Sequence, residues 1–513
     1  MASLKRSSDE ISGTESAHVV DTLVVAEEEE EEIEYEEHRG INLCKETYPT
    51  EKQIKKKSAT WNEYKVPILS NWNFKGGVGK TSTTFALAYS LAHSKGKKVL
   101  MVDADPQKNL TQLVASYYIE KNNFADSEQV MDELDENKTG FYHAMLKAMR
   151  SNEIKPAEIV KISIETVGGM DQQYGASGAN KAENIGDNIE GSLFLLSGSY
   201  KTALLDASLL SGYNADVTTP AGPNMLAYPA VFYNLIRITA ACYGIDYVLI
   251  DLSPAISYLN TNILLSSNAF ILPCSPEKFS VEALTSLPEL LNEGGYYSLY
   301  NKWKATFSSY VDDPINLDQL QLIRTPMRRP YFGYPQHTAQ LLGAVITRYD
   351  YSSISKRNNT NPTYDYRPKG NQLVPRIGQL RATLERIVAL PVVQATGALT
   401  TNPTLIPPNI NRHLPQAMTV MIRELGWAAG HYPHYYGNVI DSTGLPEFPM
   451  ILGSIPELHQ LALIGQSHSI PVAYLSNRLL TKKRCNDPTR KRLRRHHREI
   501  LEIIADKIIA HVV

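Results

Sequence analysis

The sequence predicts an open α/β fold: a doubly wound, mostly parallel sheet with helices on both faces. Three observations predict it. Short apolar runs recur along the chain and each stops at a polar or turn residue, as buried parallel strands do. A strand, a glycine-rich turn, a helix and a second strand follow one another between residues 66 and 103, which makes a βαβ unit. Helix-like stretches separate several of the later strands.

The first strand is expected at Pro67–Trp72, just ahead of Gly76, Gly77 and Gly79. Thr81–Ser94 reads as a helix because Phe85, Ala88, Leu91 and Ala92 recur at three- and four-residue spacing, and Gly96 can end it. Val99–Val102 is a strand stopping at Asp103. Leu193–Leu196 stops at Ser197, Tyr247–Ile250 at Asp251, Ala269–Leu272 at Pro273, Leu341–Ile346 at Thr347 and Met450–Leu452 at Gly453. Further helices are expected around Val281–Leu291 and Gln379–Val388. In such sheets ligands sit at the carboxyl ends of the strands.

The chain has 513 residues, 43% of them hydrophobic, and a formal charge of −3. That is enough apolar material for a large core and excludes global disorder. Near-neutrality excludes a uniformly basic nucleic-acid coat but leaves room for local patches. The run Glu27–Glu32, extended by Glu34, Glu36 and Glu37 and followed by Lys55–Lys57, repels itself and buries little. Residues 1–65 are therefore expected as a disordered acidic tail and 66–513 as the folded domain. Stretches 168–191, 293–340 and 351–448 read as insertions. Cys44, Cys242, Cys274 and Cys485 are widely spaced, which argues against a disulfide scaffold or a one-segment zinc site. With no run of about 18 apolar residues and no signal-peptide core, a cytoplasmic protein is expected.

The segment Asn73 to Thr84, NFKGGVGKTSTT, carries most of the functional information. Gly76, Gly77 and Gly79 let the backbone around Val78 curl and aim its N–H groups at phosphate oxygens, with the dipole of the next helix behind them. Lys80 offers a point charge to the β/γ-phosphates, and the Thr81 hydroxyl, beside Ser82, offers itself to Mg²⁺. The common P-loop pattern places a glycine where Phe74 stands, so that pattern fails; the deviant form KGGxGK[ST], with Lys75 added, fits.

With that loop the chain resembles the ParA/MinD family of deviant Walker-A P-loop ATPases, nearest to plasmid and chromosome partition ATPases. VLMVDADPQKNLTQ (Val99–Gln112) looks like the family's second motif and YVLIDLSPAIS (Tyr247–Ser257) like its Walker B region. SLFLLSGSYKTALLDASLL, AFILPCSPEKFSVEAL, GAVITRYD and LGSIPELHQLALIGQSHSIPV resemble later family segments in the expected order. The resemblance implies ATP and Mg²⁺ as ligands. Lys75, Lys80 and Asp105 would be catalytic, with Asp105 orienting the attacking water and Lys75 reaching across an ATP-dependent homodimer. Thr81, Asp103 and Asp251 would hold Mg²⁺, and Thr347 and Arg348 would frame the adenine.

Between residues 478 and 498, ten Lys and Arg face Asp487 alone, an electrostatic footprint for phosphate backbones. Arg478, Lys482, Lys483, Arg484, Arg490, Lys491, Arg492, Arg494 and Arg495 are the candidate contacts to nonspecific DNA, as in partition ATPases near the nucleoid. The plainer reading is a solvated helix face. The last helix carries Ile500, Ile504 and Ile508 in one stripe beside Leu501; it either packs on the sheet or, as in MinD-type relatives, binds an anionic membrane. The 29 tyrosines raise a tyrosine kinase on the same core, but they are dispersed and none follows Tyr474. A partner comparable to a centromere-binding protein is implied by the family alone.

Overall fold

The computed structural model describes residues 35–38, 41–44, 65–122, 126–136, 139–150, 154–162, 164, 191–275, 283, 296–311, 333–335, 339–349, 351–355, 364–368, 393–395, 451–485 and 487–512.

The strands are β1 (Tyr35–His38), β2 (Ile41–Cys44), β3 (Ile68–Asn71), β4 (Lys98–Asp103), β5 (Val160–Ile162), β6 (Ser192–Leu196), β7 (Tyr247–Asp251), β8 (Ala269–Cys274), β9 (Ala339–Tyr349), β10 (Tyr351–Ser355), β11 (Tyr364–Pro368), β12 (Val393–Ala395) and β13 (Ile451–Pro456). The helices are α1 (Lys80–Lys95), α2 (Asn109–Asn122), α3 (Ser127–Glu136), α4 (Phe141–Arg150), α5 (Leu205–Tyr213), α6 (Gly222–Leu226) and α7 (Tyr228–Tyr243). They continue with α8 (Tyr258–Ser266), α9 (Tyr296–Val311), α10 (Gln460–Ser467), α11 (Asn477–Lys482) and α12 (Pro488–His511).

The main sheet has the order β1-β2-β5-β6-β4-β7-β3-β8-β9. β12 and β13 then lie one after the other along the edge of β9 away from β8, at Ala339–Leu341 and Ala344–Tyr349 respectively. Within the main sheet, every pairing from β6 through β9 to β12 and β13 is parallel. Every residue of β7 and β8 is buried, so both faces of the sheet centre are covered, as parallel sheets require. The expected doubly wound architecture is the observed one. The glycine loop leaves β3, which lies between β7 and β8, so all three carboxyl ends converge on it.

The differences have physical reasons. Residues 35–38 and 41–44, inside the stretch expected to be a disordered tail, pair as an antiparallel hairpin that extends the sheet through β5. Tyr-Glu-Glu-His carries no apolar run, and pairing against an existing edge supplies what its composition does not. Inside 293–340, α9 buries Trp303 and Phe307, and the Trp303 indole donates to the Leu226 carbonyl at 2.7 Å. Inside 351–448, β12 joins the main sheet, whereas β10 and β11 form a separate two-stranded sheet. The helices expected at Val281–Leu291 (apart from residue 283) and Gln379–Val388, and residues 168–190, lie outside the described residues.

α12 starts where Asp487 caps it, accepting from the Arg490 N–H at 3.1 Å with Pro488 in the first turn. Its apolar stripe faces inward: Ile500 is 3% exposed and Leu501, Ile504 and Ile508 are fully buried. It lies along α1, where Lys95 pairs with Asp506 at 2.5 Å and Ser94 bonds Glu502 at 3.3 Å. The stripe belongs to the core, so the reading that lays it on a membrane loses its binding surface. Among the described residues no helix is long and apolar enough to cross a membrane. Deleting the Ile504 side chain to Ala leaves a cavity in this seam. Urea unfolding should show a loss of about 2–5 kcal/mol, and an unchanged midpoint would place the stripe outside the cooperative core.

Candidate functional site

The loop after β3 is shaped by two left-handed glycines. Gly77 (φ 73°) and Gly79 (φ 79°) adopt backbone angles that a side chain strains against, whereas Gly76 has open space where a Cβ would go. Polar bonds hold the loop down. Asn73, fully buried, donates to the Pro273 carbonyl at 2.7 Å and accepts from the Lys75 N–H at 2.9 Å, tying the loop to β8. Thr347, at the end of β9, donates to the Val78 carbonyl at 2.7 Å. The Arg348 guanidinium donates to the Gly77 carbonyl and pairs with Glu457 at 3.3 Å. The Lys80 ammonium donates to the Lys75 carbonyl at 3.2 Å, so the two signature lysines meet within the loop itself. Burial pulls the Lys80 ammonium below its usual range, and the charges of Asp251 and Asp105 partly restore it.

Three carboxylates stand beside this loop. Asp103 and Asp251 end neighbouring strands in direct register, and both are fully buried. Asp103 is raised to about 6, chiefly by burial, against the hydrogen bonds it accepts. Its Oδ2 accepts from the Thr111 hydroxyl and N–H at 2.6 and 2.8 Å, and its Oδ1 from the Asp105 N–H at 3.2 Å. Asp251 is raised well above the carboxylate range by burial and then by Asp103. Its Oδ2 accepts from the Thr81 hydroxyl at 2.6 Å, while its Oδ1 is buried with no partner. A divalent cation beside Thr81 would satisfy that oxygen and relieve the repulsion, so Thr81 and Asp251 fit Mg²⁺. Asp103, with Oδ2 spent on Thr111 in the first turn of α2 and Oδ1 on the Asp105 N–H, fits an orienting role better than the metal contact expected of it. Among the described residues no three His, Cys, Asp or Glu could hold a metal by themselves. That suits Mg²⁺, which takes few protein ligands and shares phosphate and water.

The glycine loop, Lys80, Thr81 and Asp105 open onto a cavity of about 870 Å³, within the usual size of a small-molecule site; Lys75, Asp103 and Asp251 are not among the residues that line it. It is lined by the expected Gly76, Gly77, Gly79, Lys80, Thr81, Ser82, Asp105, Thr347 and Arg348. Val78 is buried beneath the loop, and Lys75 is half-buried at its start. Sequence reasoning did not single out Gln107, Asn109, Glu457 or His497, which also line the cavity. The first three lie inside motifs already matched to the family. His497 gave no signal, because it sits in a run of arginines that reads as surface charge. In the fold it is 4% exposed, its Nδ1 has no hydrogen-bond partner, and burial holds its imidazole down at about 3.

The candidate DNA contacts divide. Lys482, Lys483, Arg484, Lys491 and Arg495 are exposed. Arg490 is engaged by Asp487 at 2.6 Å and Gln460 at 3.1 Å, and Arg494 donates to the Leu475 carbonyl. Both brace the helix rather than face outward. The side chains of Arg478 and Arg492 lie outside the described residues.

The family described as an AAA domain matches residues 66–173 and 230–294. An uncharacterized protein of Methanocaldococcus jannaschii is 24% identical over 44% of this chain and 65% of its own length. The virulence plasmid ParA family protein pGP5-D of Chlamydia psittaci is 23% identical over 51% of this chain and 80% of its own. The sporulation initiation inhibitor protein Soj of Bacillus subtilis is 25% identical over 43% and 62%. The chain thus spans just under two thirds of the Methanocaldococcus and Bacillus proteins. Among solved structures, pNOB8 ParA is similar at 17% identity and a TM-score of 0.37, over 87% of this chain and 98% of that one. Cyanothece apo McdA is similar at 14% identity and a TM-score of 0.39, over 85% and 100%.

His497 sets a pH dependence of stability. The folded state refuses its proton down to about pH 3, whereas the unfolded chain takes it near the ordinary value of 6.5. Its contribution is fully present above pH 6.5 and is lost as pH falls toward 3, because the unfolded state then binds the extra proton. Thermal melts of wild type and His497→Leu should therefore diverge below pH 6, with the variant losing less. Parallel curves would show that the imidazole is solvated.

Proposed function

We propose, for a chain that belongs with the ParA/MinD-type P-loop ATPases, that it is an ATP-switched homodimer that holds nonspecific DNA in DNA partition and releases it on hydrolysis. The observation that carries the reading is the constellation around the glycine loop. Lys80, Thr81 and the buried Asp105 line one cavity with the glycines of the loop, and the Thr81 hydroxyl stands 2.6 Å from Asp251, a carboxylate with an orphaned oxygen.

Phosphoryl transfer asks for positioning and charge neutralisation more than covalent work. The loop N–H groups and the Lys80 ammonium receive the β- and γ-phosphates, and Lys80 gives up the Lys75 carbonyl to do so. Thr81 and Asp251 hold Mg²⁺, which supplies charge neutralisation at the phosphates when bound. Asp105, 3% exposed at the cavity wall, orients the attacking water. Lys75 reaches the phosphates of the second copy, which makes dimerisation depend on ATP. Thr347 and Arg348 anchor the loop from the side of the base.

The dimer would meet DNA through Lys482, Lys483, Arg484, Lys491 and Arg495. Contacts of this kind read phosphate and not sequence. A membrane-bound form is less favoured, since the apolar stripe of α12 is covered. A partner protein that stimulates turnover, comparable to a centromere-binding protein, completes the family-based reading, in the cytoplasm and on the nucleoid.

Asp105→Ala should keep ATP but stop hydrolysis and accumulate dimer in light scattering; turnover equal to wild type would remove Asp105 from the mechanism. Retention on plasmid DNA should need ATP and fall steeply between 50 and about 200 mM salt. Replacing Lys482, Lys483, Lys491 and Arg495 by Gln should weaken it at every DNA sequence alike, whereas undiminished retention would move the contact elsewhere.

A further inference from the structure

Asp105 stands on a turn, and a second carboxylate holds that turn in place. Between β4 and α2 the backbone bends through Ala104–Lys108. The Ala104 N–H donates to the Asp251 carbonyl at 3.0 Å, the Asp105 N–H to Asp103 Oδ1 at 3.2 Å, and the Lys108 N–H to the Asp105 carbonyl at 2.9 Å. Lys108 takes the left-handed conformation, φ 56°, which is strained for a residue with a Cβ. A turn of this shape persists only where its surroundings hold it.

Asp103 is the holding group, and Thr111 holds Asp103. Thr111 is 1% exposed in the first turn of α2. Its hydroxyl and its N–H both donate to Asp103 Oδ2, at 2.6 and 2.8 Å, and the hydroxyl accepts from the Gly198 N–H at 2.8 Å. Gly198 closes the other side. A Cβ there would lie 2.8 Å from Asp103 Cγ, so the backbone after β6 rests against the carboxyl group itself. Asp103 is thus gripped between α2 and the end of β6, with its other oxygen left to the Asp105 N–H. The N–H of Thr111 alone would tie the helix start to Asp103; the hydroxyl adds a second bond that restrains rotation of the carboxyl group.

We propose that Thr111 is a positioning residue for hydrolysis: through Asp103 it fixes the turn that presents Asp105 to the attacking water, and through Gly198 it ties that turn to the end of β6. The proposal rests on the reading of Asp105 as the residue that orients water, and it adds the side chain that sets its place. Thr111 is not among the residues that line the cavity, so its hydroxyl bears on the rate and not on the grip on nucleotide.

The test uses the full chain with Mg²⁺ and ATP and reads steady-state turnover. Thr111→Val keeps the shape of the side chain and removes the hydroxyl. It should lower kcat about 10- to 100-fold, the scale on which a small misplacement of a catalytic group acts. KM for ATP should stay unchanged, the signature of an interaction used only in the transition state. Thr111→Ser, which restores the hydroxyl, should recover most of the wild-type rate. If Thr111→Val does not fold, Gly198→Ala displaces Asp103 from the opposite side and should show the same loss of kcat at constant KM. Wild-type turnover in the variant that folds, a KM that rises as kcat falls, or a Ser variant as slow as the Val one overturns the role of Thr111. A wild-type chain that binds ATP and does not hydrolyse it overturns the reading of Asp105, and this proposal with it.

Discussion

Two carboxylates buried side by side constrain the rest of the structure. Asp103 and Asp251 end neighbouring strands in register, beyond the reach of water, and two such groups cannot both carry charge there without help. The surrounding elements are placed to give it. Thr111 in the first turn of α2 and the Asp105 N–H ahead of that helix bond Asp103, and α1 begins where Thr81 can bond Asp251 and Lys80 can approach. Asp251 still keeps one oxygen unmet, an imbalance that the proposed Mg²⁺ would relieve.

Much of this was legible in the chain alone, and the reason is local. Where one strand, one loop and one helix follow directly, as from Ile68 to Lys95, periodicity and glycine placement determine the outcome. Gly96 ends α1 in the left-handed conformation, with φ 63°, as its position implied. The βαβ order then fixed which aspartates lie together. Less legible was anything that depends on an edge or on long-range packing. The hairpin of β1 and β2 and the three-residue β5 have no apolar run of their own and exist because a neighbouring edge pairs them. His497 was hidden by its neighbours in sequence: Arg494, Arg495 and Arg498 suggested a wholly solvated stretch, yet the same helical turns carry Leu493, His496 and His497 inward while Arg495 stays exposed.

That same helical geometry separates two roles within the basic region. Arg490 and Arg494 are held by Asp487, Gln460 and the Leu475 carbonyl, and the Arg498 guanidinium lies 4.8 Å from the centre of the Tyr474 ring. Tyr474 in turn contacts Tyr89 and His93 of α1 at 4.9 Å each. The helix that begins at the phosphate loop and the helix that bears the exposed cations are thus fastened through one aromatic joint. Counting positive charges overstates the binding face, because a third of a charged helix can be mortar.

The edge of β9 is shared in tandem by β12 and β13, and the chain between Tyr349 and Ile451 leaves and rejoins the sheet beside the same strand. A parallel crossover needs only about a dozen residues, so most of that excursion is surplus to closing the sheet. Each doubling of a loop adds only about 0.6 kcal/mol of closure entropy. Evolution is therefore free to rewrite, trim or enlarge this detour while the carboxyl end of the sheet keeps its register, which makes it the natural place for lineage-specific novelty in this molecule.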